Sequence, residues 1–127
     1  MNRYALNLKP KKSAKAYGRA LRISTKSSTV ICRAISGKNL AKGKNLLQDL
    51  ISQKRDLDGK YYTNSSKEIL NIVRSAEANA EFKGLDINRL VIFASAHKGF
   101  TFIRPRRLKM RRTRRKMTNI QVVLQQK

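Results

Sequence analysis

The central part of the chain places its apolar residues every three or four positions, which is the spacing of amphipathic α-helices. The first such segment covers residues 30–35. It should begin after Ser24, a residue type that caps helix N-termini, and end at Gly37. A second segment covers residues 40–51, and the turn composition of residues 56–59 should follow its end. The pattern therefore predicts two consecutive helices in this region.

A third helix is predicted by the longest apolar stripe, which runs from Ile69 to Ala80. Ser65 and Glu68 have the spacing of a capping box, so this helix should begin near Ser65. Gly84 should mark its end. We expect this third helix to form the backbone of the core.

Strand patterns lie on both sides of the three predicted helices. Residues 17–23 alternate apolar and polar positions as in a half-exposed strand, whereas residues 90–98 and 118–125 resemble buried strands in length and β-branched content. Residues 1–15 lack apolar periodicity and are expected to form a basic N-terminal extension. The predicted order is one strand, three helices and a β-hairpin, in a single domain over residues 1–127.

A basic segment separates the two strands of the predicted hairpin. Residues 104–116 read RPRRLKMRRTRRK, in which nine of thirteen residues are Arg or Lys and none is acidic. Because strand patterns flank this segment, it is predicted to be the distal part of a long protruding hairpin arm over residues 99–118. Cations on a narrow ribbon repel each other and bury no apolar surface, so they do not stabilise the free protein. They indicate a polyanionic partner.

The distribution of charge along the whole chain supports the same interpretation. The chain has 30 Lys and Arg against 7 Asp and Glu, and its net charge is +23. Residues 1–48 and 87–127 contain twelve cations each and no acid, whereas residues 49–86 contain six cations and all seven acids. Phosphate contacts supply most nucleic-acid affinity through counterion release, so this asymmetry indicates RNA or DNA binding.

Candidate catalytic and metal-binding residues are few. His97 is the only histidine and Cys32 the only cysteine, so neither a zinc site nor a nucleophile and base pair can be assembled. We therefore expect no enzyme activity, metal or cofactor, and expect Cys32 to act as a small hydrophobic residue in a helix. No segment approaches the ~18 apolar residues of a membrane span, and no secretory signal is evident, which favours a cytoplasmic location.

Several short motifs carry a resemblance to a known family. They are KSAKAYGR at residues 12–19, LRIS at 21–24, ICRAI at 31–35, SAEANAEFKGLD at 75–86 and AHKG at 96–99. In these motifs the chain resembles the universal large-subunit ribosomal protein L twenty-two, archaeal type, over nearly its whole length. It departs from that family in residues 56–64, which stand where archaeal members usually carry a long basic insertion.

The resemblance implies an α+β fold, in which a small antiparallel three-stranded sheet packs with three helices and a long basic β-hairpin protrudes. It implies a structural constituent of the large ribosomal subunit that binds large-subunit rRNA and lines the polypeptide exit tunnel with its hairpin. The implied partners are rRNA, other large-subunit ribosomal proteins and the nascent polypeptide, and no homo-oligomer is expected. Tip residues Leu108, Lys109 and Met110 should then face the tunnel lumen. Alternatively, Leu108 and Met110 cover bases in a crevice of the rRNA.

The residues predicted to bind RNA are cations near the start of the chain and in the arm. They are Lys11, Lys12, Lys15, Arg19, Arg22, Lys26, Lys98, Arg104, Arg106, Arg107, Lys109, Arg111, Arg112, Arg114, Arg115 and Lys116. Among the aromatic residues, Phe100 and Phe102 at the start of the arm are candidates for packing against nucleotides. Phe82 and Phe93 are instead expected in the core.

An architectural DNA-binding protein of the nucleoid is the alternative function, since such proteins also use basic β-arms with a proline near the tip. That alternative predicts a two-fold dimer, and no dimer face is evident in the sequence. A general polyanion or membrane-surface binder would need an amphipathic basic helix, whereas the charge here lies on a predicted ribbon.

Overall fold

The computed structural model of the chain describes residues 4–6, 12–103, 109 and 112–127. Its elements follow the predicted order of strand, helices and hairpin. Along the chain they are β1 (Ser13–Leu21), α1 (Thr25–Ile35), α2 (Leu40–Ile51), α3 (Thr63–Phe82), a short 3-10 helix (Ile87–Arg89), β2 (Leu90–Lys98), β3 (Phe102–Ile103), β4 (Arg114–Arg115) and β5 (Thr118–Gln126).

The main sheet is antiparallel and has β5 at its centre, with the strand order β1-β5-β2. All nine residues of β2 pair with β5 without interruption. β1 pairs along the other edge of β5, and its register shifts at a bulge between Gly18 and Leu21. Over the described residues, the predicted α+β fold with a three-stranded antiparallel sheet and three helices is confirmed.

The helices cover one face of this sheet and form the core with it. α1 and α3 pack on the sheet, and α2 packs against α3. Ile120, Val122 and Leu124 of β5 are fully buried on this face, together with Ile69 and Val73 of α3. Each such side chain contributes roughly 1.5–3 kcal/mol when it is fully buried rather than exposed. The central position of β5 therefore explains why all five residues from Ile120 to Leu124 are buried, whichever face of the sheet they occupy.

Gly18 of β1 allows α3 to approach the sheet closely. A Cβ at this position would overlap Cδ1 of Ile72 and would lie 2.8 Å from Cδ1 of Leu21. Interiors are close-packed, so any larger residue here must displace one of these side chains. The contact between α3 and β1 thus depends on the missing side chain.

The opposite face of the sheet, called the outer face below, is partly covered by residues 4–6. Val91 and Val123 point away from the helices and are nevertheless only 4 % and 3 % exposed. The N–H of Ala5 donates a hydrogen bond of 2.9 Å to Oε1 of Gln121. Part of the predicted basic extension is therefore attached to the sheet.

The first strand begins earlier than predicted. β1 starts at Ser13 rather than at residue 17, so residues 13–15 of the predicted extension belong to the sheet. Ala14 and Ala16 are buried in the core. Alanine has little intrinsic preference for strands, so the alternation of alanine with lysine gave no strand signal, and the pairing with β5 decides the conformation.

The predicted capping box of the third helix is wrong. α3 begins at Thr63, and its N-cap residue Tyr62 has a left-handed backbone (φ 48°) and no side-chain cap. Ser65 is already inside the helix and is buried. The predicted helix ends are confirmed, since Gly37 and Gly84 follow α1 and α3 with φ of 82° and 69°. These positive φ values suit glycine.

The two phenylalanines predicted to fill the core lie elsewhere. Phe82, at the end of α3, is 95 % exposed. It lies two residues after the buried Ala80, which places it about 200° around the helix from the apolar stripe. Phe93 is half-buried on the outer face, because its neighbours Ile92 and Ala94 take the positions that face the helices.

Candidate nucleic-acid interface

The predicted RNA-binding cations occupy three parts of the described structure: β1 with the residues on either side of it, the first turn of α1 beside the end of β2, and the arm. The described members are Lys12, Lys15, Arg19, Arg22, Lys26, Lys98, Lys109, Arg112, Arg114, Arg115 and Lys116. Predicted residues outside the described ones are Lys11, Arg104, Arg106, Arg107 and Arg111, together with the tip residues Leu108 and Met110.

The base of the arm is a two-stranded continuation of the hairpin. β3 pairs with β4 in antiparallel register, with Phe102 opposite Arg115. The N–H of Gly99 donates a hydrogen bond of 2.8 Å to the carbonyl of Met117, which extends the ladder between β2 and β5. The paired base sets the direction in which the arm leaves the sheet.

Exposed apolar side chains accompany the cations at this base. Phe100, Phe102 and Ile103 are 63 %, 47 % and 58 % exposed. These three large apolar side chains are exposed within four consecutive residues, and clustered exposed apolar side chains typically mark an interaction site. Nucleic-acid bases stack on aromatic rings, so the combination of rings and cations suits an RNA partner.

The cations of the predicted site form no ion pair within the part of the chain that the structure describes. The two salt bridges found there join Lys44 to Glu77 at 2.7 Å and Arg89 to Asp86 at 3.5 Å. The first of these holds α2 against α3. Both pairs belong to helical segments, so the charges of the sheet and the arm remain available to an external anion.

A row of rings lies on the outer face next to the arm. Tyr4 packs edge-on against Tyr17 with 6.3 Å between ring centroids, and Tyr17 lies 6.3 Å from the ring of His97. Nζ of Lys15 stands 5.0 Å from the centroid of Tyr4, a cation–π distance. Burial and the neighbouring Tyr17 raise the pKa of Tyr4 above its usual value. The phenol is therefore not ionised at neutral pH. This row offers a second surface against which bases can stack.

Asn119 ties the bulge of β1 to the row of rings. Its Oδ1 accepts a hydrogen bond of 2.8 Å from the N–H of Ala20, which has a positive φ of 52°. Its Nδ2 lies 3.3 Å from Nε2 of His97. Since Ala20 uses the amide oxygen, Nδ2 is the donor and Nε2 the acceptor, which places the ring proton of His97 on Nδ1. The His97 ring is thereby held in one orientation beside Tyr17.

Sequence reasoning missed this arrangement because its members come from separate strands. Tyr17 lies in β1, Asn119 in β5 and His97 in β2. The register pairs Tyr17 with Gln121 and His97 with Asn119, which brings the two rings to the same end of the sheet. Strand alternation places each ring on the outer face, but only the pairing of all three strands places them side by side.

The described residues contain no group of three or more His, Cys, Asp or Glu side chains that could hold a metal ion. Cys32 is 2 % exposed in α1, and burial raises the pKa of its thiol to about 12. Such a thiol is protonated at neutral pH and is a poor nucleophile. The prediction that Cys32 acts as a small hydrophobic residue is confirmed.

Among the residues that the structure describes, no helix combines the length and apolar character of a membrane span.

Comparison with known proteins identifies relatives of this chain. The large ribosomal subunit protein uL22 of Archaeoglobus fulgidus is 38% identical over 108 residues, which cover 69% of this chain and 70% of that protein. The protein of the same name from Methanocaldococcus jannaschii is 33% identical over 122 residues, covering 80% and 78% of the two chains. The one from Methanopyrus kandleri is 36% identical over 113 residues, covering 72% and 71%.

A family model covers most of the chain. The model described as Ribosomal protein L22p/L17e matches residues 16–125, from the middle of β1 to the end of β5. The match therefore includes the sheet, the helices and the arm. The resemblance inferred from the short motifs is confirmed, and the chain belongs to the ribosomal protein L22p/L17e family.

Proposed function

We propose that this chain is a structural, non-catalytic constituent of the large ribosomal subunit in the cytoplasm, and that it binds large-subunit rRNA. Family membership supports the place in the subunit, because the named relatives are large-subunit proteins. The observation that carries rRNA binding is the separation of charge. The described cations of β1 and the arm make no ion pair among described residues, whereas both salt bridges there lie in helical segments. An RNA backbone supplies the missing anions.

The chemistry of the arm base favours recognition of RNA shape. Lysine and arginine contact phosphates irrespective of sequence, and arginine also stacks on bases. Phe102 is 47 % exposed and is the cross-strand partner of Arg115, so a ring and a cation leave the same step of the ladder. Together they suit unpaired bases that the RNA fold holds open.

We also propose that the arm lines the polypeptide exit tunnel, beside other large-subunit proteins. This role is supported by the resemblance and by the paired base from which the arm leaves the sheet. The expectation is that Leu108 and Met110 face the nascent chain while Arg111 and Arg112 bind phosphate. Arg111→Glu with Arg112→Glu should then impair subunit assembly, because a reversed charge meets phosphate in a poorly hydrated site. Leu108→Ser with Met110→Ser should spare assembly.

A photo-crosslinker at position 108 in translating ribosomes tests the tunnel role. It should label the growing peptide. If it labelled only rRNA, the alternative in which Leu108 and Met110 cover bases would be correct and the tunnel role wrong.

Sedimentation of the tagged chain tests the main proposal. The protein should remain with large subunits in high salt. Recovery on DNA would favour the architectural nucleoid protein, and recovery as free protein would overturn both nucleic-acid functions.

A further inference from the structure

A cavity of about 360 Å³ lies between the first turn of α1 and the base of the arm. Its lining residues come from three separate segments, within residues 24–26, 98–101 and 114–117. None of them is acidic. Their convergence is a property of the fold, since the segments are distant along the chain.

Four of the lining residues are cations, namely Lys26, Lys98, Arg114 and Lys116. Three hydroxyl side chains complete much of the polar lining. No predicted RNA-binding cation takes part in the salt bridges found among described residues. Four positive charges around one concave site raise the local potential, and they attract a small anion far better than isolated surface charges do.

Hydrogen bonds hold the walls of the cavity in place. The buried hydroxyl of Thr118 donates to the carbonyl of Ile23 at 2.8 Å. Its single proton is thereby used, so the hydroxyl of Thr25, also at 2.8 Å, donates to Thr118. On the other side, a Cβ at Gly99 would lie 3.1 Å from the carbonyl oxygen of Met117, so glycine permits the close approach that joins Lys98 to the arm. The site is formed before any ligand arrives.

The first turn of α1 and Met117 complete the lining of the cavity. α1 has no acidic residue in its first turn, and its N-cap Ser24 makes no side-chain cap bond. N–H groups in a first turn lack intrahelical acceptors and carry partial positive charge, which reinforces the cations. Met117 adds an apolar surface.

We propose that this cavity binds one nucleotide unit of an RNA strand, with its phosphate among the four cations and its ribose against Met117. This inference rests on the proposed binding of rRNA and assigns it a specific subsite. The volume falls at the lower end of the roughly 300–1,000 Å³ that small-molecule sites occupy, which is more than a bare phosphate needs. A phosphate held there connects α1 to both strands of the arm, so RNA binding also fixes the orientation of the arm.

Matched pairs of substitutions in the full chain test the subsite. Lys26→Gln with Lys98→Gln removes two charges from the cavity, and Lys60→Gln with Lys67→Gln removes two exposed charges from the segment that carries the acids. Affinity for a large-subunit rRNA fragment should fall about tenfold or more for the cavity pair and less than threefold for the control. The salt slope should drop by about 1 for the cavity pair alone.

Equal losses for the two pairs would overturn the subsite, because only net charge would then matter. If the unaltered chain failed to bind rRNA, the proposed function itself would be wrong. Should the cavity pair fail to fold by circular dichroism, Arg114→Gln with Lys116→Gln tests the other wall by the same measurement and the same criterion.

Nuclear magnetic resonance separates an RNA site from a site for free anions. The backbone amide signals of Lys26 and Ser27 should shift when a short oligouridylate is added to the ¹⁵N-labelled chain. Inorganic phosphate at the same concentration should shift them several-fold less, because it lacks the ribose that packs against Met117. Equal shifts with both probes would overturn the assignment to RNA.

Discussion

At the scale of single residues, the two buried positions Gly18 and Cys32 affect the protein through packing and burial rather than through polar contacts. Gly18 leaves room for Ile72, and Cys32 occupies a position in α1 where water is excluded. Gly18 lies between Tyr17 and Arg19 of the proposed surface but presents no side chain to it, and Cys32 is buried. Their effects are therefore expected in the free energy of unfolding, and they can be measured on the isolated chain.

Replacing Gly18 with alanine should destabilise the protein by about 1–3 kcal/mol, because the added methyl group overlaps Cδ1 of Ile72. Ile72→Val removes that Cδ1 atom, so the double variant should lose less than the sum of the two single variants. Urea unfolding of all four proteins measures the coupling. If the losses in unfolding free energy of the two single variants simply add in the double variant, the overlap with Ile72 must be relieved by other movements.

Cys32 should make the stability of the protein depend on pH in the alkaline range. Burial raises the pKa of its thiol from the usual 9.0 to about 12, so the unfolded chain loses this proton at a lower pH than the folded chain does. The contribution of the protonated Cys32 thiol to the free energy of unfolding is fully present below pH 9 and is lost as the pH rises towards 12. Between pH 8 and 10 the loss should be about 1.4 kcal/mol.

The unfolding free energies of the natural chain and of Cys32→Ala at these two pH values isolate this contribution, since lysines and tyrosines titrate in both proteins. The natural chain should lose about 1.4 kcal/mol more than the variant does. An identical pH dependence in the two proteins would contradict the burial of the thiol.

At the scale of elements, the arm and the sheet have different roles. The sheet and its helices contain the fully buried side chains, whereas the described apolar residues at the base of the arm are exposed. Gly99 and Met117 are joined by a hydrogen bond next to the pair Lys98 and Thr118. A two-residue turn can therefore close the hairpin at this step of the ladder.

Replacing residues 100–116 with Asn-Gly should leave the domain folded, because none of the described residues among those removed belongs to the core. The type I′ turn matches the twist of the flanking strands. Thermal unfolding followed by circular dichroism should remain cooperative, while affinity for rRNA falls. A broad, non-cooperative transition would show that the arm supports the fold.

Element boundaries were predictable where the chain itself carries the signal. Gly37 and Gly84 adopt positive φ after their helices, so the chemistry of one residue marks the end. The start of α3 was not predictable in this way, because Ser65 satisfies a capping rule while packing buries it inside the helix. The prediction that Phe82 lies in the core is wrong because apolar character alone does not reveal which face of a helix a residue occupies.

At the scale of the whole molecule, the sequence predicts the distribution of charge well. It does not predict the cavity between α1 and the base of the arm. The basic ends are visible by counting residues. The convergence of Lys26, Lys98 and Arg114 requires the register of β5 with β2 and the hydrogen bonds of Thr118. Tertiary pairing of this kind leaves no local pattern in the sequence.

The segregated charge predicts a steep dependence of rRNA affinity on salt. If about six phosphates are neutralised, the logarithm of the affinity should fall against the logarithm of the salt concentration with a slope of roughly −4 to −5. Filter binding of an rRNA fragment at several potassium chloride concentrations measures this slope. A value near zero would mean that apolar stacking, rather than phosphate contacts, dominates the affinity.

The central position of β5 has a consequence for the order in which the molecule forms. β5 follows every other described element along the chain, yet it is the only partner of β1 and the main partner of β2. During synthesis β1 must wait, unpaired, for a strand about one hundred residues away, and contacts so distant in sequence close slowly. The helices can form early, but the sheet can be completed only after β5 has left the ribosome that makes it. Until then the newly made chain exposes an open, basic strand edge, and unpaired strand edges of this kind favour wrong pairing.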